Sequence, residues 1–82
     1  MPIWGQVTGC ECAWCDRGEF RATFLVKADH IVCSNCGRTR SCKPPIMGVV
    51  YAECACCGRG EKTSFVVDSE GTYICTNCGR RR

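Results

Sequence analysis

The sequence has little of what a small domain ordinarily folds with. Aromatic residues make up 9% of its 82 positions, and nine positions are glycine. A unit of this size has too little large apolar surface to be held by burial alone. The run Val49-Val50-Tyr51-Ala52 fits a short strand, and no stretch approaches the roughly 20 apolar residues of a membrane span. No segment of ten or more positions carries a 3.6-residue apolar period, so no long helix is expected. There is one histidine, His30, which excludes an H-E-x-x-H site. No phosphate-cradling glycine loop and no Ser/His/Asp set is apparent, and the reading is non-enzymatic. The start, MPIWGQVTGC, has neither the basic lead nor the apolar run of a secretory leader. An intracellular, reducing setting, cytoplasmic or nuclear, is therefore expected.

Cysteine is what the chain has in excess. Eleven residues are cysteine, an odd total that argues against a closed disulfide set. Cys12 and Cys15 form one C-x2-C and Cys33 and Cys36 another; Cys54/Cys57 and Cys75/Cys78 repeat the pattern. Two C-x2-C pairs at this separation form a zinc signature. Each pair can aim two sulfurs at one point about 2.3 Å away, and its backbone N–H groups offset thiolate charge. Gly37, Gly58 and Gly79 follow the second cysteine of their pairs, where a tight turn favours positive φ.

The spacing recurs because the chain repeats. Shifted by 42 positions, residues 1–40 lie over 43–82 without a gap. Glu11, Arg17, Gly18 and Glu19 recur as Glu53, Arg59, Gly60 and Glu61, and CSNCGRTR recurs as CTNCGRRR. The expected organisation is a unit over 1–40, a junction at 41–42 and a second unit over 43–82. Within each unit, residues 20–26 and KTSFVV read as the first strands of hairpins closed by polar turns. Short strands around Gln6-Val7-Thr8 and Val49-Val50-Tyr51 precede the first cysteine pairs, and Pro44-Pro45 stiffen the junction. Trp4, Phe20, Phe24, Phe65 and Tyr73 are the expected hydrophobic layers, and Asp68 and Glu70 the solvated residues of a turn. Cys10, Cys42 and Cys56 have no cysteine at the repeat offset, and they read as small apolar side chains rather than ligands.

Two CxxC knuckles flanking a hairpin, with CxxCG endings, make the chain resemble the zinc ribbons, here as a tandem pair. The resemblance implies a small metal-stabilised β fold with two Zn²⁺. Their ligands would be Cys12, Cys15, Cys33 and Cys36 in one unit and Cys54, Cys57, Cys75 and Cys78 in the other. Ala13, Ser34, Ala55 and Thr76 stand where family knuckles often carry proline. Four thiolates leave no open position for substrate, so the metal is structural. Iron, in a site resembling rubredoxin, is the alternative ion and would make the chain a redox protein.

The formal charge of +3 invites a nucleic-acid reading, but metal changes it. Eight deprotonated thiols and two Zn²⁺ remove four net charges, which leaves −1. What remains is placement. Arg38 and Arg40 close the first unit, and Arg80, Arg81 and Arg82 the second. Trp14 sits between two ligands, where a large side chain has no room to turn inward. Arginine edges with an exposed aromatic suit RNA or DNA, as in the transcription and translation proteins that carry zinc ribbons. The alternative is a protein–protein adaptor that docks on a larger complex through Trp14, Tyr51 and free strand edges.

Overall fold

The computed structural model describes residues 3–12, 14–15, 21–56 and 62–82. It is all-β, with two antiparallel sheets and no helix among the described residues. The first sheet takes β1 (Gln6–Cys10), β2 (Ala22–Val26), β3 (His30–Cys33) and β4 (Thr39–Ser41) in sequential order. The second takes β5 (Gly48–Glu53), β6 (Lys62–Val67) and β7 (Tyr73–Cys75). The hairpins fall where β-branched and aromatic runs flank polar turns.

The repeat survives as geometry, with one slip. Phe24 lies opposite Cys33 in the first hairpin and Phe65 opposite Cys75 in the second. The ungapped offset places Phe24 over Val66, but the ladder makes Phe65 its counterpart. The second hairpin turn is one residue longer, running Asp68–Thr72 against Lys27–His30. Asp68 holds that longer turn: its Oδ1 accepts from the N–H groups of Glu70 and Thr72, and its Oδ2 from that of Lys43. Asp68 is therefore buried rather than solvated as expected. Strand β4 was not anticipated. Its counterpart is a short pairing of Ile74 with Arg81, tied by mutual backbone bonds between Tyr73 and Arg82.

The two units share a core. Val66 and Ile74 of the second sheet join Val7, Phe24, Ile31, Cys42 and Ile46 in one buried cluster. The opposite face of the second sheet carries a smaller cluster of Cys54, Phe65 and Cys75. Burial on both faces explains why Thr63, Ser64, Phe65 and Val66 are buried in succession. An isolated bridge between Ile3 and Ile46 adds a backbone link between the units. The Pro44–Pro45 peptide is cis.

A polar seam crosses the same contact. The Glu11 N–H donates to Ser64 Oγ at 3.1 Å, the Thr63 hydroxyl donates to the Glu11 carboxylate, and the Ser64 and Thr76 hydroxyls bond each other. Each buried polar group there finds a partner, as burial requires. Trp4 and Tyr73, expected in the hydrophobic layers, are exposed. Phe20 lies outside the described residues.

Candidate metal centres and an arginine groove

Each second knuckle leaves a hairpin strand and turns back at a glycine. Gly37 and Gly79 have φ of 81° and 83°, and each donates its N–H to the carbonyl of the first cysteine of its knuckle at 2.8 Å. Gly58, the third such glycine, lies outside the described residues. The first knuckle closes with a bond from Cys15 N–H to Cys12 O. These turns bring Cys12, Cys15, Cys33 and Cys36 together, and Cys54, Cys75 and Cys78 together, with all sulfurs of each group within 4.8 Å of one another. Cys57, the expected fourth member of the second group, lies outside the described residues.

The spacing of the sulfurs can be set against the metal. A tetrahedral ion with bonds of about 2.3 Å needs ligand sulfurs about 3.8 Å apart. Cys12–Cys36 and Cys15–Cys33 are each 3.5 Å apart and Cys54–Cys78 3.6 Å. Thiolates held so close repel one another unless a cation lies between them. Their titration reflects that crowding. Burial pushes the Cys33 thiol up, but the N–H groups of Cys36 and Asn35 and the thiols of Cys15 and Cys36 bring it down to about 7. The Asn35 side chain lowers Cys15, yet desolvation and its thiol neighbours carry it up to about 12. Desolvation, with Cys54 and Cys75 alongside, raises Cys78 to about 11. Within the first cluster the Cys33 thiol is lowered while those of Cys12 and Cys15 are raised. Both clusters are thus compatible with metal binding.

Of the three cysteines set aside, Cys10 and Cys42 are buried in the shared core. Cys56 is exposed and accepts from Arg80 Nε at 2.7 Å. His30 pairs with Asp29 at 2.7 Å, and neither cysteine cluster includes it.

The arginines that come after each second knuckle obey the repeat. Arg38 lies over the ring of Trp14, 3.4 Å from its centroid, and Arg80 reaches Cys56, the residue at the same knuckle position. Arg40 lies over Phe24 at 6.0 Å, and Arg82 over Phe65 at 5.5 Å. Their surroundings differ. Arg82 is exposed and donates to Glu53 O. Arg40, expected at a solvated edge, is only 7% exposed, because Asn77 and Gly79 of the second unit cover it. Its Nη1 and Nη2 donate to the carbonyls of Thr39 at 3.0 Å and Asn77 at 3.1 Å.

Sequence reasoning missed this inter-unit contact. Its one visible sign is Gly79, where a Cβ would come within 3.0 Å of Arg40 Cδ. Between the units runs a groove of about 580 Å³, lined by Trp14, Arg38 and Arg40 on one side and Cys78, Gly79 and Arg81 on the other. Trp14 is 59% exposed. Trp14, Arg38, Arg40 and Arg81 therefore meet at one groove, whereas Arg80 and Arg82 do not line it.

Comparison with family models, curated proteins and solved structures finds no match. No helix among the described residues is long and apolar enough to cross a membrane.

Proposed function

We propose that the chain is a non-enzymatic module of two tandem zinc-ribbon units that binds nucleic acid through its arginines. Each cluster would hold one Zn²⁺, with Cys57 completing the second. Zinc suits an all-sulfur tetrahedral set, and four thiolates leave no coordination position for a reacting water. The metal's contribution is then structural, on the order of 10–16 kcal/mol per site near neutral pH.

The observation that carries the nucleic-acid reading is the convergence of Trp14, Arg38 and Arg81 on one groove. Solvated arginines scattered for solubility have no reason to gather around an exposed indole. Guanidinium groups supply phosphate contacts, and the indole a stacking surface. The test is filter binding of zinc-loaded protein to single-stranded RNA, single-stranded DNA and duplex DNA at two salt concentrations. The expected result is salt-dependent binding with a shallow slope, since few phosphates are within reach. It should weaken when Arg80, Arg81 and Arg82 are together changed to alanine. Absence of binding to any of the three, or affinity indifferent to salt, refutes the reading.

A protein partner is the second reading, favoured by the exposure of Trp4, Met47, Tyr51 and Tyr73. It predicts a pull-down partner that is lost on changing these side chains and retained when the arginines are replaced.

A further inference from the structure

We infer that the groove between the two sheets seats one unpaired nucleotide of a single-stranded nucleic acid. Its base stacks on the Trp14–Arg38 pair, and its phosphate lies beside Arg81 and Arg40. This rests on the nucleic-acid reading and specifies where the strand is held and which form is selected.

Arg40 is the first reason. The residue is more than nine-tenths buried, and both hydrogen-bond partners of its guanidinium are neutral carbonyls. Its Nε has no partner, and neither has Oδ1 of the adjoining Asn77. Among the described residues Arg40 has no carboxylate partner. A cation withdrawn from water with only neutral acceptors around it has an unmet demand for negative charge. Arg38 and Arg81 add two more guanidinium groups to the same groove. The second cysteine cluster reaches the groove through Cys78 and, as a four-thiolate zinc site of about −2, answers part of that charge. The first cluster, which carries Trp14 in its knuckle, would add a similar negative charge, so what a phosphodiester would meet is the local demand at Arg40 and Arg81 rather than a net excess.

The stacking surface is the second reason. The Arg38 guanidinium is held against one face of Trp14 at 3.4 Å, and the indole remains largely exposed. Indole rings and guanidinium planes both accept a stacked base. A base paired inside a duplex has its faces covered by its neighbours, so such a platform selects an unpaired one. The volume of about 580 Å³ suits one nucleotide, since small-molecule sites span roughly 300–1,000 Å³. Both units supply the walls, so the seat exists only while they are packed together.

The test uses the zinc-loaded full chain carrying Trp4→Phe, which leaves Trp14 as the indole reporter. A thymidine oligomer of ~10 nucleotides, within the usual site sizes, is titrated beside a duplex of equal length, thymidine monophosphate and inorganic phosphate. The oligomer should quench Trp14 fluorescence, and the other three should not at matched nucleotide concentration. By filter binding, Trp14→Ala should weaken the oligomer roughly 5- to 150-fold, as loss of one stacked base implies. Trp14→Phe should recover part of that loss. Arg81→Ala should lower the salt slope by about 0.7, one phosphate of a single strand. Lys27→Ala, at an exposed turn position outside the groove, should leave quenching unchanged. Zinc content is measured for every variant, and only those holding the parent amount are compared. Oligomer binding without quenching, indifferent to Trp14 and Arg81, overturns this inference and leaves the nucleic-acid reading standing. Equal affinity for phosphate or the mononucleotide shows a free-anion site and overturns it also. No oligomer binding removes both.

Discussion

Alanine at Gly79 should destabilise the zinc-loaded chain more than alanine at Gly37, although the two glycines hold the same position in the repeat. Both have positive φ, 83° and 81°, where a Cβ costs about 1–2 kcal/mol. That strain is common to the two variants and cancels in the comparison. The difference lies in what the new methyl meets. Nothing lies within 4 Å of a Cβ at position 37, whereas at 79 it would stand 3.0 Å from Arg40 Cδ and 3.4 Å from Nε. Carbon atoms settle at about 3.5–4.0 Å, so the overlap is about half an ångström or more. Arg40 has little room to yield, since its guanidinium is fixed to the carbonyls of Thr39 and Asn77 and its stem lies in the unit contact. Overpacking of this kind costs about 1–3 kcal/mol, which is the expected excess of Gly79→Ala over Gly37→Ala. The assay is urea unfolding at one fixed free-zinc concentration, because bound metal shifts apparent stability by mass action. A double-mutant cycle with Arg40→Ala isolates the contact, and the excess should vanish in that background. Equal losses at the two glycines, or an excess that persists without Arg40, would refute the placement of Arg40 between the units.

Two further outcomes are expected from the cysteine clusters and the shared core. If the clusters hold zinc as proposed, chelation at neutral pH should abolish the β-sheet circular dichroism and zinc should restore it, since a metal site contributes most to the folding of units this small. Native mass spectrometry should find two Zn²⁺ per chain before chelation. The Cys42 thiol is raised from 9.0 to about 11, by desolvation first and then by Asp68 and Asp29 against Arg81. Its folded value lies above its unfolded one, so its contribution is full below pH 9 and is lost as pH rises through about 11. Urea midpoints between these pH values should fall less steeply in Cys42→Ala than in the parent.

The strands and the cysteine geometry were legible because they depend on local pattern. Alternation and turn chemistry mark β2, β3, β6 and β7, and C-x2-C spacing together with the repeat offset picks out the described sulfurs that converge. What escaped was whatever depends on how one unit meets the other. Trp4 has the composition of a core residue, but Val66 and Ile74 from across the unit boundary join the first unit's core while Trp4 stays exposed. Asp68 reads as a solvated turn residue until Lys43 N–H supplies a third donor to its carboxylate. Arg40 is written like Arg82, and no local rule says which will be covered. The one-residue slip between hairpins was hidden because an ungapped match keeps the C-x2-C cysteines aligned while the strands between them shift.

The repeat thus builds two alike pieces and gives them unlike surroundings. The same phrase sets Arg38 on Trp14 and Arg80 on Cys56, and Arg40 over Phe24 as Arg82 lies over Phe65. Each pair shares a position relative to its hairpin, because a β-turn at a positive-φ glycine directs the residues after it. Packing then breaks the equivalence. The second unit presents Asn77 and Gly79 to Arg40, and the glycine is what allows the approach, since any other residue there would meet the arginine stem. Arg82 gains no such cover and stays exposed. A charge that one unit alone would leave in water is held dry at a groove, next to an aromatic ring that its own unit supplies. Such a site needs both copies in contact, so separating the units should abolish the groove even where both cysteine clusters remain intact.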